Sequence, residues 1–247
     1  MLNVVYWIRG AEYADMAALS AASVKRCYPA ARVFVYADEP HTALKSKNID
    51  DVFIVPAFNV TPAMLANLQT QVHYCLSKHF TAPTMFLDAD ILAVKPIDYL
   101  EAPDFWQKYD LVVTQRDHVK REGDKKIVGV AREMPYNYGV LMANNSVGAT
   151  EAMIAMRDRV SRFGQARQDW YGNQWALREI VGGSCHDPMP RDINTASQFW
   201  SLNVRVENCD TWNYTPESVD EDISRKYFIH PKGDRKEIFQ HFAKELT

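Results

Sequence analysis

The sequence predicts an α/β fold: a central mixed, mostly parallel sheet flanked by helices. Three observations carry this. β-rich runs alternate with helical runs through the first ninety residues, the spacing of layered α/β folds. The most apolar run, 84–94, reads as a central strand, since buried parallel strands are apolar on both faces. No repeat, low-complexity tract or Gly/Ser linker divides the 247 residues, so a single domain is expected.

Taken in order, NVVYWIRG is a strand ending at Gly10, and DMAALSAASVKRCYP is a helix stopped before Pro29. ARVFVYAD and DVFIVPA follow as strands. TPAMLANLQTQVHYCLSKHF opens with a cap-like Thr61-Pro62 and carries Met64, Leu65, Leu68, Val72, Cys75 and Leu76 at helical spacing. After TMFLDADILAV come the strands DLVVTQRD and YNYGVLMAN, separated by the charged loop KREGDKKI. ATEAMIAMRDRVSRF and DWYGNQWALREIVG are helices. Residues 183–222, rich in Asp, Asn and Pro, are expected to be irregular. RKYFIHP is a last strand and KEIFQHFAKEL a terminal helix.

Composition narrows the class. A net charge of -3 argues against a global field for nucleic acid or anionic lipid. The four cysteines form no CxxC pair, so neither a zinc site nor a disulfide framework is expected. With no signal-like N-terminus and no run of about 20 apolar residues, the expectation is a soluble, cytoplasmic protein.

The chemistry concentrates in two places. Asp88 and Asp90 follow the apolar run; in an extended backbone, residues two apart point the same way, about 6–7 Å from each other. They would sit at a strand's C-terminal end, where open α/β sheets bind ligands. Two convergent carboxylates suit Mn²⁺ or Mg²⁺; the other reading is a turn capped by its own Asp side chains. Near the C-terminus, His230, Gly233 and Lys236 form an HxxGxxK pattern. The imidazole of His230 can complete a metal site, Gly233 lets backbone approach a bulky anion, and Lys236 offers a point charge to phosphate. A surface histidine, a turn glycine and a solvated lysine fit the same letters.

Together, FLDAD at mid-chain and HxxGxxK near the end resemble the GT-A (Rossmann-like) glycosyltransferases of family 8, the glycogenin and lipopolysaccharide galactosyltransferase type. YNYGVLM is similar to that family's NSGV strand, matching at Asn137, Gly139 and Val140, and GNQWAL to its DQxxL helix start, matching at Gln174 and Leu177. The resemblance implies one GT-A domain over 1–247, with a nucleotide-binding half over about 1–95 and an acceptor half over about 96–247. It implies a UDP-sugar donor, a Mn²⁺-type ion and transfer with retention. Carried over, Asp88 would touch ribose and metal, Asp90 and His230 would hold the metal, and Lys236 would hold the diphosphate. Gln174, with Asn173 beside it, would face the sugar. The base pocket would draw on Tyr6, Arg9, Tyr13 and Asp38, with Tyr6 equally readable as core. The sequence departs from the family at Tyr138 for Ser, at Asn173 for an acid, at Gln71 and His73 where an Arg is usual, and at Glu237-Ile238 for Pro-Trp.

Aromatics in the irregular segment, Trp200 and Trp212, are candidates for stacking on an acceptor, and the loop 118–126 for a basic lid. The acceptor itself, whether glycan, protein, lipid-linked sugar or modified nucleic acid, is left open, as is the oligomeric state. Two other classes stand beside the transferase: a glycosyltransferase-like binder without turnover, and a haloacid-dehalogenase-type phosphatase, whose DxD would open the domain and run on into Gly-Thr.

Overall fold

The structure is a computed structural model that describes residues 1–116, 133–197, 201–233 and 235–247. The loop 118–126 and Trp200 therefore lie outside the described residues.

Eight strands form one sheet in the order β3-β2-β1-β4-β7-β6-β9-β8. They are β1 (Asn3–Ile8), β2 (Arg32–Ala37), β3 (Asp51–Ile54), β4 (Thr84–Leu87), β6 (Leu111–Gln115), β7 (Tyr136–Ala143), β8 (Arg191–Ala196) and β9 (Ser201–Asn208). The pairs β1–β2, β1–β4, β2–β3 and β6–β9 are parallel, whereas β4–β7, β6–β7 and β8–β9 are antiparallel. The sheet is thus mixed and mostly parallel, as the sequence predicts. A two-residue ribbon, β5 (Leu92–Ala93) with β10 (Phe228–Ile229), stands apart from it.

Among the described residues, five helices of ten residues or more flank the sheet: α1 (Ala11–Cys27), α2 (Ala63–Cys75), α3 (Val147–Val160), α4 (Gly172–Val181) and α5 (Lys236–Leu246). Alternation along β1 sorts the two cores. Val4, Tyr6 and Ile8 join a cluster with α1 and α5, while Val5 joins one with α2, α3 and α4. Both clusters are dominated by side chains with almost no solvent exposure, so burial of apolar area on both faces is what fixes the layers.

Three expectations need correction. The run 84–94 is two strands, not one: β4 stops at Leu87, and a turn closed by Ile91 N–H donating to the Asp88 carbonyl (3.2 Å) redirects the chain into β5. The segment 183–222 contains the β8–β9 antiparallel pair. Asp192, Asn194 and Asn203 lie in that edge ribbon and not in turns; Asp192, for example, pairs with Arg205 on β9. The helix expected over 169–182 is a π-turn at Arg167–Tyr171 followed by α4.

Candidate metal and donor site

The site grows from three backbone devices. First, β1 is flanked by β2 on one side and β4 on the other. The chain runs outward from β1 to β2 and β3 and then crosses back to β4 on the other side of β1, so the strand order reverses between β1 and β4, the place where open α/β sheets form a ligand crevice at their C-terminal ends. Asp88 is the first residue beyond β4, and its N–H donates to the Gly139 carbonyl at 3.0 Å. Second, the β5–β10 register sets Ile229 opposite Leu92, which carries His230 beside the Asp88–Asp90 turn. The His230 N–H is fixed by the Tyr214 carbonyl at 2.6 Å. Third, the β6–β7 register slips between Val113 and Thr114, leaving Tyr138, Gly139 and Val140 as a bulge next to the turn.

These devices bring Asp88, Asp90 and His230 together. Their candidate ligand atoms all lie within 4.8 Å of one another. His230 Nε2 stands 3.0 Å from Asp90 Oδ1 and 3.7 Å from Asp88 Oδ2. The convergence comes from a turn and not from an extended DxD, which corrects the geometry the sequence suggested. His230 is buried, and its Nδ1 lies 3.0 Å from Asn213 Oδ1. Asn213 Nδ2 in turn reaches Thr114 Oγ1 (3.2 Å), whose hydroxyl donates to the Asn137 carbonyl (2.9 Å). With Nδ1–H donating to the amide oxygen, a neutral ring can offer its Nε2 lone pair to an ion held by the carboxylates, whereas without an ion the 3.0 Å contact to Asp90 Oδ1 needs a proton on Nε2. Two carboxylate oxygens and a neutral imidazole nitrogen fit Mn²⁺ or Mg²⁺.

The electrostatics agree. Burial raises the Asp88 carboxyl above the usual carboxylate range and Asp90 adds repulsion, only partly offset by His230 and Lys232. Burial also pushes Asp90 upward, but the charge and hydrogen bond of His230 outweigh it and hold Asp90 low.

The other residues singled out in the sequence divide in two. Asn137 and Gln71 lie beside the Asp88 turn, and Asn173 and Gln174 open α4. Asn137 is buried, and its Oδ1 accepts from the Gly139 N–H at 3.3 Å, bracing the bulge. Gln71 accepts the Tyr138 hydroxyl at 2.5 Å and donates to Asn67. With Tyr138, Trp7 and Asp88 it lines a cavity of only about 10 Å³, room for a single water. Asn173 is buried, with its Oδ1 accepting the N–H of Gln174 at 2.8 Å. Asp38 is buried at the end of β2 and accepts Gly10 N–H at 3.2 and 3.1 Å. Gly10 takes φ +90, a conformation side chains disfavour, to make that contact.

Arg9 donates to the carbonyls of Phe58 and Thr61, both at 3.2 Å, tying the loop before α2 to the end of β1. Tyr13 is half exposed on α1, and Gly233 takes φ +62 at an exposed turn. Lys236 opens α5 and pairs with Glu12 on α1. Two candidates are corrected. Tyr6 has no exposed surface and its hydroxyl meets Ser20 Oγ at 2.8 Å, so its ring offers no face to a base. Trp212 is buried against Tyr99 and Tyr227 and cannot stack on an acceptor.

Sequence reasoning missed three residues. Asn213 carries no motif and is found only through His230. Arg116 donates to the Gln174 amide oxygen at 2.6 Å. Lys232 lies inside the HxxGxxK pattern at a position the pattern ignores. Burial, and then Arg116, pull its ammonium down to about 8, against the opposing pull of Cys209, Asp88 and Asp90.

The whole architecture recurs in solved glycosyltransferases. A galactosyltransferase, LgtC, in complex with donor and acceptor sugar analogues, is 18% identical and matches 99% of this chain and 96% of its own, with a TM-score of 0.60. A glycosyltransferase involved in glycosylation of the major capsid of PBCV-1 is 13% identical over 98% of both chains, with a TM-score of 0.57. The glycosyltransferase GlyE of Streptococcus pneumoniae TIGR4 is 10% identical over 99% of this chain and 64% of its own, at 0.54. No family model matches the sequence, and no curated protein matches it significantly. The chain therefore has the GT-A fold of these glycosyltransferases, and its fold resembles that of family 8. No helix among the described residues is long and apolar enough to cross a membrane.

Proposed function

We propose that this protein is a glycosyltransferase that moves a sugar from a nucleoside diphosphate sugar, a UDP-sugar in the first instance, to an acceptor hydroxyl with retention at the anomeric carbon. The observation that supports it most is the convergence of Asp88, Asp90 and His230 at the crevice of a GT-A sheet, with Asn213 holding the imidazole. These three residues would hold a divalent ion, which when bound supplies neutralising charge to the departing diphosphate.

In the proposed reaction the bond between the anomeric carbon and the diphosphate breaks, its electron pair leaves with the phosphate oxygen, and the acceptor hydroxyl forms the new bond on the same face and gives its proton to that departing oxygen. Lys232, whose ammonium feels both aspartates, would hold the phosphates that carry the growing charge. Lys236, at the start of α5, would support them. Gln174 would contact the donor sugar. Arg9, Tyr13 and Asp38 would contribute to the base pocket. In this reading the first ninety-five residues form the nucleotide half, and the remainder shapes the acceptor side.

A second reading is favoured by a specific observation. Tyr138 and Gln71, hydrogen-bonded to each other, fill one side of Asp88 and leave a cavity of about 10 Å³ there, and Asn173 spends its side-chain oxygen on its own helix. Both fit a domain that binds a sugar nucleotide without turning it over.

One experiment separates the two. Purified protein is incubated with a panel of UDP-sugars with and without Mn²⁺, and UDP release is followed. Metal-dependent release supports transfer. Metal-dependent UDP binding by calorimetry without release supports the binder. Failure to bind UDP or metal at all overturns both.

A further inference from the structure

The Arg116–Gln174 contact joins the end of β6 to the first turn of α4. Arg116 is 8% exposed and stands where the strand leaves the sheet. Toward the described residues its guanidinium donates to the Met134 carbonyl at 2.5 Å, the Tyr136 carbonyl and Gln174 Oε1 at 2.6 Å. The first two anchor it to the start of β7. The third is the side-chain amide that the family resemblance assigns to the donor sugar.

A guanidinium has donors and no acceptor. The atom it meets on Gln174 must therefore be the oxygen, which fixes which way round the amide lies. A charge-assisted hydrogen bond also draws electron density from that oxygen, making it a poorer partner for a carbon that becomes positive. What Gln174 has left to present is chiefly its N–H pair.

Resting on the glycosyl-transfer reading, we propose that Arg116 is a positioning residue for Gln174. It pins the amide oxygen, so that Gln174 meets the donor sugar as a hydrogen-bond donor to its hydroxyls. Arg116 itself touches no reacting atom.

The test is a double-mutant cycle with a spectroscopic arm. Arg116→Met and Arg116→Lys are made in the wild-type and Gln174→Ala backgrounds. The Lys variant keeps the charge and guards against a failure of folding in the Met variant. In the wild-type background Arg116→Met should lower kcat about 100-fold and Arg116→Lys about 10-fold. In the Gln174→Ala background each should cost less than about 3-fold, because residues that act through one another are not additive. Equal losses in both backgrounds overturn the proposal, since they mean that Arg116 serves only the fold.

The second arm is independent of activity. The side-chain amide pair of Gln174, identified by its loss in Gln174→Ala, should move in a ¹H–¹⁵N spectrum of Arg116→Lys. An unmoved pair overturns the positioning role whatever the kinetics show. If the wild-type protein turns over no UDP-sugar, the transfer reading falls, and the amide spectrum alone then decides whether Arg116 positions Gln174.

Discussion

A β-carbon on Gly139 would lie 2.4 Å from Cε1 and 2.6 Å from Nδ1 of His230, and 3.0 Å from Asp88 Oδ2. The bulge in β7 thus brings bare backbone against the imidazole face. His230 cannot yield easily, because Asn213 holds its Nδ1 and the Tyr214 carbonyl holds its N–H. Gly139→Ala should destabilise the protein by about 1–3 kcal/mol, the range for overpacking a filled site. It should also weaken Mn²⁺ binding by displacing Nε2. Thermal unfolding with and without Mn²⁺ checks both; unchanged melting and unchanged metal response would contradict the packing argument.

Asp90→Ala separates folding from binding. Asp88 and Asp90 repel in the apo protein, and Asp90 adds to the upward push on Asp88. Removing Asp90 should therefore leave apo stability within about 1 kcal/mol of wild type, while the gain in Tm on adding Mn²⁺ with UDP disappears. A variant that keeps the ligand-induced gain places the metal elsewhere.

Much of this was legible in the sequence. The strand-helix alternation, the apolar run before Asp88 and the paired motifs identify the fold and the three candidate metal ligands. What escaped depends on pairing between distant segments. The β8–β9 ribbon is read as loop because its Asn and Asp residues gain their strand character from partners such as Asn194 with Asn203. Asn213 and Arg116 belong to no motif, and only their tertiary partners reveal them. Tyr6 has the letter of a stacking residue, but the inward side of β1 decides its place.

Asn213→Leu should leave His230 in place sterically but remove the acceptor for Nδ1–H. The ring is then free to hold its proton on Nε2, the atom that faces the aspartates. Loss of such a partner typically costs about 10–100-fold in metal affinity. Calorimetric Mn²⁺ titration of the variant, with Asn213→Asp as the form that restores an acceptor, checks it. Equal affinity in Asn213→Leu and wild type would show that the tautomer is not set by Asn213.

Asp38 gives a pH dependence of stability. Burial pushes its carboxyl up, but the hydrogen bond from His41 and those from the Gly10 and Glu39 amides outweigh this and lower it. A carboxyl lowered in the folded state contributes stability above its unfolded pKa, near 3.9. That contribution is lost as pH falls through the folded value. Wild-type stability should therefore drop more steeply below about pH 4 than that of Asp38→Asn. Urea melts from pH 6 downward compare the slopes, and parallel slopes would rule out Asp38 as a source of acid sensitivity.

Lys232 and Lys236 lie on the same segment but face different partners. Lys236 is exposed at the start of α5 and meets Glu12, whereas Lys232 is half-buried and feels Asp88, Asp90 and Arg116. A cation in a poorly solvated crevice interacts more strongly with an incoming diphosphate than one in open water. Lys232→Ala should therefore weaken UDP binding about 10-fold or more while changing uridine binding less than about 2-fold, a difference of about 1 kcal/mol or more. Lys236→Ala should show the same preference for the diphosphate at smaller size, because solvent and Glu12 already screen its charge. Calorimetry of both ligands against both variants resolves the two roles. Equal losses of UDP and uridine in Lys232→Ala would mean that the side chain supports the fold of the crevice and not the phosphates, and a larger UDP loss in Lys236→Ala would return the diphosphate to the lysine that the sequence pattern names.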